Sequence, residues 1–180
     1  MINDDEKKIE YLKYLLDKQL DWIQKSDTKA SIFLSVMSVL ITLLLNNKIV
    51  SVLRTAVTYL KEHDVIMLSF ISIAFGISLV LIITGGLFVF SSIIPHLKSS
   101  ANQRSHIYFG DIAHNGLTDL QLFFTNETYI LEDLINQTFI NARIAHNKMK
   151  KCNLGIILSC VGFFLMVVLT IGLFIGLSAR

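Results

Sequence analysis

The chain has 180 residues, 53% of them hydrophobic and only 17% charged, where soluble domains carry about 25% charged residues. Mean hydropathy is +0.59 and the formal net charge is +2. The length suits one domain, the composition excludes an ordinary soluble core, and the charge is too small to argue for a DNA or RNA partner.

The first 29 residues are hydrophilic and show no secretory cleavage pattern, so the first apolar run is expected to be an uncleaved anchor. From Ile2 to Asn47 there is neither Gly nor Pro. Asn3 or Asp4 can cap, and Asp5 and Glu6 suit a first turn. The pattern predicts one helix that is amphipathic over 1–29, with Ile9, Leu12, Leu16 and Ile23 on one face, and that continues into a first membrane span over 30–47. An isolated helix of that kind needs a partner.

Residues 48–64 carry Ile49, Val50, Leu53, Ala56, Val57 and Leu60 on one side, which predicts a short helix on the outer membrane surface; a plain connector is the alternative. The run 65–94 has no charge and forms the second span. Its 30 helical residues would measure about 45 Å against a hydrocarbon core of about 30 Å, so it tilts or protrudes. Gly85-Gly86 could mark a weak point in it. Pro95 ends it, and 95–117 is a connector with turn points at Gly110 and Gly116.

Thr118-Asp119-Leu120-Gln121 matches a capping box and opens a helix over 118–151. Leu120, Phe123, Leu131, Leu134, Ile135, Phe139, Ala142, Ala145 and Met149 recur in it at three- and four-residue steps. No break separates it from the third span, 152–179. The expected fold is therefore an all-α membrane protein with three transmembrane helices. The first and third continue into long cytoplasmic helices that form a bundle.

Lys and Arg set the orientation. Residues 1–29 hold six and 95–153 hold six, whereas 48–64 hold three and the tail holds Arg180. That asymmetry puts the N-terminus and the connector in the cytoplasm and the C-terminus outside, in a multi-pass protein of the bacterial inner membrane.

The stretch KSDTKASIFLSVMSVLIT at the first span combines charge with hydroxyls. At about 100° per residue, Asp27, Ser31, Ser35, Ser38 and Thr42 fall within an arc of about 80°, and Lys25 and Lys29 point away to the headgroups. The hydroxyls can bond to their own helix or permit close packing. They can also form a seam between copies or a polar pore wall with Asp27 at its inner mouth. Gly172 and Gly176 make a GxxxG pair in the third span, suited to a contact within the chain or to a homo-oligomer.

Chemistry beyond that is sparse. The uncharged runs contain no nucleophile–base pair, and GxSxG, P-loop and GxGxxG patterns are absent, so no catalytic residue is assigned and no enzyme activity is expected. His63, His96, His106, His114 and His146 lack metal-ligand spacing, and Cys152 and Cys160 read as packing residues, so no metal or other cofactor is expected.

Three blocks in order, DWIQKSDTKASIFLSV, SHIYFGDIAHN and LINQTFINARIAHNKMKKCNLGIIL, resemble the small transmembrane effectors of bacterial Pycsar anti-phage systems. The resemblance implies a membrane effector fed by a cyclic nucleotide from a partner cyclase. The ligand would be a cyclic pyrimidine mononucleotide, cUMP or cCMP. Its binding would impair the inner membrane and cause abortive infection. A membrane scaffold or accessory subunit without a nucleotide ligand is the alternative.

Such a ligand needs a cation or helix N-terminus for its phosphate, an aromatic face for its base and polar groups for its edges. The connector offers Arg104, His106, Tyr108, Phe109 and Asp111, and the helix that follows offers Asn141 and Arg143. Asp111 suits a base or ribose better than a phosphate. The competing role for these residues is packing, with the arginines solvated or paired.

Overall fold

The computed structural model describes residues 4–94, 105–113, 121 and 127–178. Among them the chain is helical and has no strand. Helix α1 spans Asp4–Leu44, α2 Asn47–His63, α3 Val65–Ile93, α4 Phe109–Ile112 and α5 Glu127–Ser178. The Thr118 capping box lies outside the described residues. Three of these helices, α1, α3 and α5, are long and apolar enough to cross a membrane.

The chain divides into two compact units. One comprises 1–28 and 94–149, the other 29–93 and 150–180. Helices α1 and α5 each supply residues to both.

In the unit of 29–93 and 150–180, the local signals explain the corners. Asn46 caps α2 by accepting from the Lys48 N–H at 3.0 Å. Asp64 closes α2, its own N–H reaching the Leu60 carbonyl at 2.8 Å. The same Asp64 opens α3, its carboxylate accepting from the Met67 N–H at 3.0 Å. One acid thus stops a helix and starts the next, and α2 is held as a short amphipathic arm between two spans.

The packing in this unit is built on small residues. Ala30, Val89 and Cys152 are fully buried, with Phe33, Leu34, Ile93 and Ile156 around them. Further along, α3 and α5 approach closely at Gly85, Gly155 and Gly162. A Cβ on Gly155 would lie 2.6 Å from the Gly85 carbonyl oxygen. One on Gly162 would lie 2.8 Å from the Ser78 carbonyl oxygen. Lipid gives helices no hydrophobic reason to associate, so backbone approach of this kind supplies the contact area. Gly85, read from the sequence as a possible weak point, is a packing residue instead. The outer faces remain uncovered: Phe70 and Phe164 are each 70% exposed, as a hydrocarbon solvent requires.

Candidate functional site

In the unit of 1–28 and 94–149, the connector is fastened through carboxylates. Ser105 is buried, and its hydroxyl accepts from the N–H groups of Ile107 and Tyr108, both at 3.1 Å. Those bonds shape the turn that leads into α4, where the Tyr108 carbonyl takes the N–H groups of Asp111 and Ile112. The Ser105 N–H donates to Asp111 at 2.9 Å, so the acid after the turn holds its beginning. Asp133 of α5 then ties the turn to the helix. Its carboxylate accepts from the Ser105 hydroxyl at 3.1 Å and from the His106 N–H at 2.8 Å.

A second polar feature joins α1 to α5. Lys148 has a side chain only 5% exposed, and its Nζ meets both carboxylate oxygens of Asp27, at 2.7 and 2.8 Å. Within this unit Leu134, Gln137, Ala145 and Lys148 are the buried positions of α5, three, eight and three residues apart and so on one side of the helix. Lys148 therefore occupies a core position, and only a bonded counter-charge makes that tolerable. Beside Asp27, Ser26 is fully buried and its hydroxyl has no hydrogen-bond partner.

The residues singled out from the sequence separate accordingly. His106, Tyr108 and Asp111 are half-buried and gather around Ser105 and Asp133. Asn141 is half-buried and Arg143 exposed. They sit eight and ten residues beyond Asp133 on α5, about 12 and 15 Å along its axis, and on different sides of it. Arg104 lies outside the described residues, as does the side chain of Phe109. No group of three or more metal-ligating side chains occurs among the described residues.

The span residues are also placed. Ser31, Ser35, Ser38 and Thr42 are exposed on α1. The hydroxyls of Ser35, Ser38 and Thr42 donate to the carbonyls of Ser31, Ser35 and Ser38 at 2.9, 2.8 and 2.8 Å. The face that α1 buries runs instead through Ser26, Ala30 and Met37. Lys25 pairs with Asp21 at 2.8 Å, and Lys29 donates to Asn153 at 2.8 Å, where the sequence pointed both lysines to headgroups. Gly172 and Gly176 are exposed, with open space where a Cβ would stand. They line a cavity of about 390 Å³ with residues of α2 and α3, among them Ala56, Leu60 and Ile71.

Three residues escaped the sequence reading. Asp133 and Ser105 carry no local signal, because their bond joins positions 28 apart. Lys148 does carry one: it is a cation at a position where the spacing calls for an apolar residue.

A family described as the Pycsar effector protein domain, PycTM, matches residues 11–176. The chain belongs to the Pycsar effector family. No curated protein and no solved structure matches it. The match includes most of each of the three apolar helices, the Ser105–Asp133 clip and the Asp27–Lys148 pair. The Pycsar effector is thus a membrane protein of an anti-phage system, in a family of effectors rather than of known catalysts.

Proposed function

We propose that this Pycsar effector is switched on by a cyclic nucleotide from a partner cyclase and then breaches the bacterial inner membrane, ending the infection by loss of the host cell. Family membership carries the reading. The cyclic pyrimidine mononucleotides cUMP and cCMP are the first ligands to try. The connector around His106, Tyr108 and Asp111, with Arg104 before it and Asn141 and Arg143 beyond it, is the candidate region for binding. In this reading 1–29 and 95–151 form a cytoplasmic bundle, and the C-terminus is external.

Two features support a route from ligand to membrane. Helices α1 and α5 both contain a span and both reach into the unit that holds the connector. The Asp27–Lys148 pair joins them in that unit. A ligand that binds one arrangement of these helices better than another shifts the population toward it. Copies would then meet through the exposed α1 face of Ser31, Ser35, Ser38 and Thr42, or through Gly172 and Gly176, and open a path for ions.

Dye release from vesicles carrying the purified effector tests the reading directly. Release on addition of cUMP or cCMP, and none with the linear nucleotide, is the expected result. Vesicles that stay tight at saturating ligand would overturn it. Ser35→Leu with Ser38→Leu should blunt release at unchanged reconstitution if copies meet along that face.

A further inference from the structure

We propose that the groove between α2 and α5 is a phospholipid site, taking one acyl chain of an anionic lipid with its phosphate at Lys48. The groove has a volume of about 300 Å³, at the lower end of small-ligand pockets. Lys48, Ile49 and Val52 line it from α2, and Thr170, Ile171 and Phe174 from α5. Thr170 donates its hydroxyl to the Met166 carbonyl at 2.8 Å, so it spends its polarity within its own helix. What remains is a wholly apolar trough that Lys48 lines with its carbon stem, its ammonium lying outside the trough, which matches a molecule made of a long apolar chain and a single anion beside it.

Lys48 is available for that anion. Its backbone N–H is used by the Asn46 cap, but its ammonium has no ion pair or hydrogen bond among the described residues. Arg54 and Lys61 of the same helix are exposed and likewise unpaired, but helical spacing puts them on the other flank of α2, which leaves Lys48 as the cation beside the groove. Basic residues on an amphipathic helix at a membrane surface attract anionic headgroups.

Lining chemistry favours a lipid over a second copy: no carboxylate-bearing or amide side chain stands in the groove to fix another protein segment. The rims, Ile171 at 53% and Phe174 at 56% exposure, open toward the surroundings of a membrane span, where acyl chains are the abundant occupant.

The test needs no nucleotide, so it stands apart from the activation reading. The full-length effector is incubated in detergent with dioleoyl phosphatidylglycerol or with dioleoyl phosphatidylcholine, and bound lipid is counted by native mass spectrometry. Phosphatidylglycerol should be retained about five-fold over phosphatidylcholine. Lys48→Gln should erase that preference and keep phosphatidylcholine retention. Val52→Trp, which fills the groove, should cut retention of both lipids while far-ultraviolet circular dichroism stays unchanged. A photoreactive residue placed at Val52 should cross-link to lipid in membranes. Equal retention of the two lipids by the parent protein, indifference to Lys48→Gln, or cross-linking of Val52 to a second copy would each overturn the proposal.

Discussion

Asp27 and Lys148 form one bond but stand in unequal surroundings. The lysine side chain is 5% exposed and the aspartate 34%. Removing the acid leaves a buried cation uncompensated, whereas removing the lysine leaves a carboxylate that water already reaches in part. Asp27→Asn should therefore destabilise the effector by about 3 kcal/mol. Lys148→Met should cost clearly less, and it suits a core position on α5. Thermal unfolding in detergent, followed by circular dichroism, checks the ordering. Equal losses would mean that the two groups are equally solvated. The Asp133 clip has its own signature. Asp133→Ala removes the acceptor of the Ser105 hydroxyl and the His106 N–H. Losing a hydrogen bond to a charged group should raise amide hydrogen exchange at His106 by about ten-fold or more, with little change in the span of α3.

At the scale of elements, the glycines divide into two kinds that look alike in sequence. Gly155 faces the backbone of Gly85 and the Val89 N–H, atoms that cannot step aside. Gly155→Val should force α3 and α5 apart at a cost of about 1–3 kcal/mol. Gly172→Val meets nothing within 4 Å and should leave the unfolding temperature of the isolated protein unchanged or raised. Unfolding in graded sodium dodecyl sulfate compares the two. The long helices were legible because long apolar runs without proline leave few options, and the α2 corner because Asn46 and Asp64 are caps in type and place. The GxxxG spelling drew the eye to Gly172 and Gly176, while the close approach uses Gly85, Gly155 and Gly162, at spacings no single motif describes. The connector geometry was less accessible. Which carboxylate would receive Ser105 depends on where α5 passes, and nothing near Ser105 in the chain encodes that.

For the molecule as a whole, the topology we propose puts the two ends of the chain on opposite sides of the membrane, with the distribution of Lys and Arg as the reason for choosing the sides. The choice can be read with a membrane-impermeant maleimide in a Cys160→Ala background, Cys152 being buried. Thr58→Cys, on the exposed face of α2, should label in intact spheroplasts. Lys18→Cys should label only after lysis; the reverse pattern would invert the proposed topology. The exposed hydroxyls of α1 bear on what such a protein can do once inserted. Each of Ser35, Ser38 and Thr42 returns its proton to a carbonyl of the preceding turn, so the face is saturated and tolerates hydrocarbon. A rotation about χ1 would offer the same three protons to water, with the helix backbone intact. The face is amphibious: it can change solvent without changing secondary structure, and a helix with such a side can turn from lipid to a wet lumen by rolling rather than by unfolding.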